Sequence, residues 1–178
     1  MKTLGTVVCI GGLAAAGLAL VPPANADSPM PDLDRYTTVN TDDYWVAIPT
    51  SGYNGAVSSV QFSTPAGQDC SVVINIRGMW DTATCTGPIP GVDQNTATAS
   101  YMEAGKFTDS ASATGQAKSK LLPAGSKVVF TRSGWTGTCA VDKAMTACVL
   151  SFDSGRPDNS TPRTPHGFVL GPENSSTF

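Results

Sequence analysis

Short stretches in which apolar and polar residues alternate recur along most of the chain. In residues 57–62, Val60 and Phe62 fall on one face of an extended strand, whereas Ser59 and Gln61 fall on the other. Clusters of glycine, proline and polar residues separate such stretches, as turns do. The pattern predicts about seven or eight short strands, and the segments concerned are 44–48, 57–62, 71–76, 79–84, 96–102, 127–132, 147–152 and 166–170.

The predicted strands follow one another without the long helical segments that parallel sheets need. Such a chain is typical of an antiparallel sandwich or barrel rather than of repeated βαβ units. A helix is plausible only in residues 106–122, which are rich in alanine but interrupted by Gly115. We therefore predict an all-β fold, a single antiparallel sandwich or barrel-like domain over residues 44–171. An extended N-terminal lead-in at 27–43 precedes it, and a C-terminal tail at 172–178 follows it.

The first 26 residues have the organisation of a secretory signal peptide. Lys2 supplies the basic start, residues 4–21 are apolar, and residues 24–26 read Ala-Asn-Ala, a small-residue cleavage site. An uncleaved anchor is the alternative, because about 18 apolar residues can span a bilayer. The many glycines and alanines leave this run weakly hydrophobic, which favours cleavage near Ala26. We therefore expect a secreted or cell-envelope protein without stable membrane insertion.

Four cysteines remain after Cys9 leaves with the signal peptide: Cys70, Cys85, Cys139 and Cys148. An even number of cysteines in an exported chain indicates disulfides, and four cysteines allow three connectivities. The spacing favours Cys70–Cys85 and Cys139–Cys148, because each pair brackets a stretch that can fold back as a hairpin. A zinc site or a redox motif is not indicated, since no two cysteines are spaced Cys-x-x-Cys.

Charge and histidine content exclude several classes of function. The chain has 11 basic and 14 acidic residues, so it lacks the basic footprint of a nucleic-acid-binding protein. Its single histidine, His166, excludes a zinc site built on several histidines. The same residue is the only histidine available as general base of a hydrolase, with a serine and an aspartate supplied by the fold. No phosphate-binding glycine loop or EF-hand is present, and we expect neither a cofactor nor a metal ion.

Two tryptophans near turns are the candidate binding residues. Trp80 follows an Arg-Gly-Met sequence, and Trp135 lies between Gly134 and Gly137. A partly exposed tryptophan at such a position can contact a sugar, a lipid or a protein, although packing of the ring into the core is the alternative. Trp80 and Trp135 are therefore predicted as a contact site for a partner or ligand.

Five sequence elements follow one another in a fixed order between residues 62 and 170. They are FSTPAG at 62–67, the first cysteine pair, LPAG at 122–125, the second cysteine pair and HGFVL at 166–170. In this order they resemble a group of small exported proteins of actinobacteria, mycobacteria among them, with the pattern F-x-[ST]-P-x-G…Cys…Cys…L-P-x-G…Cys…Cys…G-F-x-L. The function of that group is uncharacterised. The resemblance implies export and paired cysteines, and it supplies no catalytic residue.

The sequence thus predicts an exported, non-enzymatic β-domain that binds a partner or ligand at the cell envelope or outside the cell. Two other functions stay open. One is a hydrolase that uses His166. The other is a small-molecule or lipid carrier, which requires an apolar cavity of about 300 Å³ or more.

Overall fold

The computed structural model describes residues 30–49, 56–73, 81–110, 119–132, 134–152 and 164–178. Their strands form two sheets of six strands each. The front sheet contains, in chain order, β2 (Trp45–Pro49), β3 (Ala56–Ser63), β4 (Asp69–Val73), β5 (Thr82–Thr86), β6 (Thr96–Ser100) and β7 (Lys106–Thr108). The back sheet contains, from edge to edge, β1 (Thr37–Thr38), β8 (Ser126–Arg132), β9 (Trp135–Val141), β10 (Thr146–Phe152), β11 (His166–Leu170) and β12 (Ser175–Thr177). Two short 3₁₀-helices, Leu33–Arg35 and Thr41–Tyr44, flank β1.

Both sheets are built mainly from strands that are neighbours in the sequence. Every pairing is antiparallel except that of β1 with β8, which is parallel. Short turns suffice for antiparallel neighbours, which fits the glycine- and proline-rich connections of the sequence. The all-β prediction is confirmed as a two-sheet sandwich, and the barrel-like alternative does not apply to the described strands.

Alternation along the strands separates a buried face from an outer face in each sheet. In β5, Ala83 and Cys85 are fully buried, whereas Thr84 between them is partly exposed. Thr84 faces Thr98 of β6, and their hydroxyl oxygens are 3.5 Å apart on the outer side. The largest fully buried apolar side chains of the core are Val60, Phe62, Val72, Leu122, Val128, Val141, Phe168 and Leu170.

Close contact between the two sheets depends on a glycine in the back sheet. A Cβ atom added to Gly137 would overlap Val72 Cγ1 of the front sheet and lie 3.2 Å from Leu150 Cδ2. Carbon atoms normally approach to about 3.5–4.0 Å. The absence of a side chain at Gly137 therefore lets Val72 of the opposite sheet pack directly against β9.

A buried glutamine also joins the sheets. Gln68 is 1% exposed, and its Oε1 accepts hydrogen bonds from Thr64 Oγ1 (2.5 Å) and from Thr146 Oγ1 of β10 (3.0 Å). Its Nε2 donates to the carbonyl of Pro88 (2.8 Å). Buried polar groups generally have hydrogen-bond partners. In Gln68 both the oxygen and the nitrogen of the side-chain amide have partners, and these come from three segments of the chain.

The two predicted disulfides are confirmed. Cys70 bonds to Cys85 across β4 and β5, and Cys139 bonds to Cys148 across β9 and β10. Each pair lies at directly opposite positions of adjacent strands. All four residues belong to the buried core, so each sheet carries one covalent cross-link on its inner face.

Residues 106–122 are the segment in which a short helix is plausible from the sequence, and their described parts, 106–110 and 119–122, are not helical. Lys106–Thr108 forms β7, because it pairs with β6 and because Phe107 packs against the core. Residues 111–118 lie outside the described residues, and residues 119–122 run beside Ser63 of β3 rather than as a helix.

The predicted ends of the domain contain more regular structure than a lead-in and a tail. Within 27–43, residues 30–43 include β1 and the first 3₁₀-helix. Within 172–178, β12 pairs with β11, and Phe178 exchanges backbone hydrogen bonds with Gly167. Residues 1–26, the predicted signal peptide, lie outside the described residues. No helix in the described part of the chain is long and apolar enough to cross a membrane.

Candidate binding site at one end of the sandwich

The last inward-facing side chains of both sheets meet at one end of the sandwich. In the back sheet, Arg132, Trp135 and Phe152 lie directly opposite one another across β8, β9 and β10. Side chains two residues apart share a face of a strand. Trp135 and Phe152 are two residues from Gly137 and Leu150, which face the core, and therefore close the core at this end.

Three aromatic rings from the two sheets stack at this end. The Trp135 ring centroid is 4.1 Å from that of Tyr101, with 47° between the planes, and 4.0 Å from that of Phe152, with 35° between the planes. Tyr101 directly follows β6 of the front sheet. These ring contacts link Tyr101 of the front sheet to Trp135 of the back sheet, and Trp135 in turn to Phe152.

An exposed methionine directly follows Tyr101, the front-sheet member of the ring cluster. Met102 is 66% exposed, and a bend that begins at Ser100 presents it. Ser100 Oγ accepts hydrogen bonds from the backbone N–H groups of Met102 (3.2 Å) and Glu103 (3.0 Å). Tyr101, Trp135 and Phe152 are each partly exposed. We call these three residues together with Met102 the aromatic patch.

The two tryptophans predicted as contact residues have different outcomes. Trp135 is the central ring of the aromatic patch, and one side of it packs against the core while part of it remains exposed. Trp135 is therefore compatible with both interpretations of the sequence, packing into the core and contact at the surface. Trp80 lies outside the described residues. A contact role for either tryptophan therefore stays a prediction.

Two titratable groups lie near the same end. His166 begins β11 opposite Leu150, and its Nδ1 is buried without a hydrogen-bond partner in the described part of the chain. Asp81 directly precedes β5 and is 3% exposed. A hydrolase of the predicted type needs a carboxylate hydrogen-bonded to the histidine and a serine within reach of its other nitrogen.

The described residues do not assemble that catalytic unit. None of the ion pairs among them involves His166. Ser100, the serine next to the aromatic patch, hydrogen-bonds to the bend described above. The neighbouring aspartate and serine that follow β10, Asp153 and Ser154, lie outside the described residues. The hydrolase alternative thus gains no support from this end of the sandwich.

Metal binding and lipid carriage gain no support from the described residues either. No group of three or more histidine, cysteine, aspartate or glutamate side chains among them could hold a metal ion. Between the sheets, Val72 packs directly against β9 at Gly137, so no carrier cavity separates the two inner faces at this point.

Tyr101, Met102, Phe152 and Arg132 are site residues that the sequence reasoning did not identify. A usable signal existed for Phe152. Trp135 lies four residues before Cys139, and Phe152 lies four residues after Cys148. If the disulfide joins directly opposite positions of a hairpin, Trp135 and Phe152 must also be opposite. No comparable signal existed for Tyr101, because it comes from the other sheet.

Comparison of the chain with protein-family models, curated proteins and solved structures finds no match. Indications of function come from the side chains of the aromatic patch themselves. They are two aromatic residues of a disulfide-linked hairpin, a third ring from the opposite sheet and a highly exposed methionine.

Proposed function

We propose that the protein is a non-enzymatic binding domain that recognises a protein partner through the aromatic patch. The observation that carries this proposal is the composition of one small surface. Tyrosine, tryptophan, phenylalanine, methionine and arginine are the residues enriched in protein–protein interfaces and their hot spots. Tyr101, Met102, Trp135, Phe152 and the adjacent Arg132 represent each of these types once.

The scaffold beneath the patch supports a binding role. Trp135 and Phe152 belong to the two strands that Cys139–Cys148 cross-links, and ring contacts join both to the front sheet through Tyr101. Side chains that are already held in place lose less conformational freedom on association. The patch is therefore a largely preorganised surface, with Met102 as its most adaptable member, since methionine side chains adjust readily to a partner.

The partner is proposed to lie outside the cytoplasm. Two buried disulfides are compatible with an oxidising compartment. The signal-peptide pattern of residues 1–26 and the resemblance to small exported actinobacterial proteins favour the same location. We propose that cleavage near Ala26 releases the domain to the cell envelope or the exterior, where the patch meets its partner.

Affinity capture with matched variants tests this proposal. The chain without residues 1–26 is immobilised as wild type, Met102→Asp and Thr131→Asp, and each is exposed to envelope and culture-filtrate proteins of the producing organism. Thr131 is the matched control, because it is exposed on the outer face of β8 next to Arg132. A charge at position 102 must be desolvated within the proposed contact, whereas a charge at position 131 lies on the outer face of β8 and faces away from it.

The expected result is one protein that wild type and Thr131→Asp retain equally. After its purification, Met102→Asp should bind it at least about tenfold more weakly, equivalent to about 1.4 kcal/mol. Equal binding by Met102→Asp would contradict the proposal. So would retention of only a glycan or a lipid, since the patch would then serve another class of ligand.

A further inference from the structure

The four edges of the two sheets differ in how well they are protected. An edge strand has unpaired N–H and C=O groups that can pair with another chain, and proteins shield such edges with short strands, charges, proline or a covering segment. Among the described strands, β2 and β7 are the edges of the front sheet, and β1 and β12 are those of the back sheet.

Three of these edges carry recognisable protection. β1 has only two residues and lies between two 3₁₀-helices. β7 has three residues, including exposed Lys106. β12 also has three residues, and directly after it the carbonyl of Phe178 accepts a hydrogen bond from Gly105 N–H (2.9 Å).

The β2 edge is longer, uncharged and apolar. Its five residues read Trp-Val-Ala-Ile-Pro. Of the features that discourage pairing of an edge strand with another chain, it has only a proline, Pro49, at its end. Trp45 is 44% exposed and Val46 is 39% exposed. Leu121 is 54% exposed and forms an isolated bridge with Ser63 of β3. It lies on the side of β3 that carries β2, beyond the end of β2. Of the four exposed large apolar residues in the described part of the chain, three therefore lie along this one edge.

We infer that the β2 edge pairs with the β2 edge of a second copy of this chain, antiparallel and about a two-fold axis. An isologous contact of this kind needs a surface that complements itself. β2 meets this requirement because apolar residues face apolar residues and no charged residue opposes a like charge within the strand. The two front sheets then join into one continuous sheet.

Charges beside β2 favour the antiparallel arrangement. Asp42 and Asp43 lie just before the start of β2, separated from Trp45 only by Tyr44. Asp43 forms an ion pair with Lys120 at 2.9 Å. In an antiparallel pair, the acidic ends of the two copies lie at opposite ends of the contact. A parallel pair would bring the two Asp42 carboxylates, which the Lys120–Asp43 pairs do not include, to the same end of the contact, and like charges that are close cost free energy.

The contact is small, and its strength follows from its size. Stable interfaces bury about 800 Å² on each partner, which is more than one five-residue strand supplies. Association through β2 is therefore expected to be weak and to depend on protein concentration. The aromatic patch plays no part in it, so this inference stands independently of the proposed function.

Sedimentation equilibrium over a wide range of protein concentration tests the inference on the chain without residues 1–26. The wild type should pass from the mass of one chain to that of two chains as concentration rises. Val46→Lys places a charge on the edge in each copy and should abolish the dimer. Thr108→Lys, at a position that is also exposed but lies on the opposite edge strand of the front sheet, should dimerise as the wild type does.

Amide hydrogen exchange provides a second measurement that does not depend on a variant. Protection of the β2 amides should increase with protein concentration, while protection of the β7 amides should not. A monomer at every concentration overturns the inference. A dimer that Val46→Lys leaves intact does so as well, because another surface must then hold it. Strong β2 protection in a monomer also overturns it, since another segment of the same chain would occupy the edge.

Discussion

Replacement of Gly137 by alanine tests whether the two sheets pack as closely as the structure indicates. The new Cβ would overlap Val72 Cγ1 and lie 3.2 Å from Leu150 Cδ2. Gly137 is a buried residue of β9, and its φ is not among the positive values found at other glycines. Alanine therefore fits the backbone at this position, and any loss of stability must come from packing.

The size of the effect follows from two opposing contributions. Overpacking of a core by a methyl group costs about 1–3 kcal/mol. A glycine-to-alanine change stabilises by about 0.4–1 kcal/mol through the unfolded chain. Val72 is β-branched and fully buried, so it has little freedom to move away. We expect Gly137→Ala to lower the free energy of unfolding by about 1–2 kcal/mol.

A double-mutant cycle identifies the partner of the clash. Val72→Ala removes the overlapping methyl group and by itself costs about 2 kcal/mol as a cavity. In the combined variant the alanine methyl at 137 occupies part of that cavity, so the two losses should overlap by at least about 1 kcal/mol. Urea unfolding with the disulfides intact measures the free energy of unfolding of the wild type, the two single variants and the double variant. Losses that add within about 0.5 kcal/mol would refute close contact between these two residues.

Three further predictions concern other links in the fold. Gln68→Leu should lower the free energy of unfolding by about 2–4 kcal/mol, because the Thr146 hydroxyl and the Pro88 carbonyl each lose a buried partner; wild-type urea stability would contradict the role of Gln68 in joining the sheets. Cys70→Ala with Cys85→Ala should cost about 3 kcal/mol, from a loop closed at a separation of 15 residues. Cys139→Ala with Cys148→Ala should cost about 2.6 kcal/mol, because its separation of 9 residues is shorter. The opposite order of the two losses in denaturant titrations would show that local packing outweighs loop length.

Local sequence signals predicted most of the architecture. Alternation and turn residues identify strands such as β3 and β8, because an antiparallel strand with one buried face repeats every second residue. Cysteine spacing identified both disulfides, because each bond closes a hairpin between neighbouring strands. These features depend on residues that are close in the sequence, so they can be read from it.

Features that depend on distant pairing were missed. Residues 106–108 begin the alanine-rich segment in which a helix is plausible from the sequence, but pairing with β6 and packing of Phe107 against the core make them a strand. β1 is recognisable only by its parallel pairing with β8, far along the chain. The contact of Tyr101 with Trp135 requires knowledge of how the two sheets are stacked. In each case the deciding contact is with a separate strand, so local preference alone does not reveal it.

Site-specific photo-crosslinking from the patch is the most direct test of the central claim, that the aromatic patch is where this domain meets a protein partner. A photoreactive phenylalanine derivative is placed at position 102 or, as the control, at position 131, and the protein is irradiated at the surface of its producing cells. We expect one discrete protein adduct from position 102 that excess unlabelled wild type suppresses, and none from position 131. No adduct from position 102, or equal adducts from both positions, would contradict it.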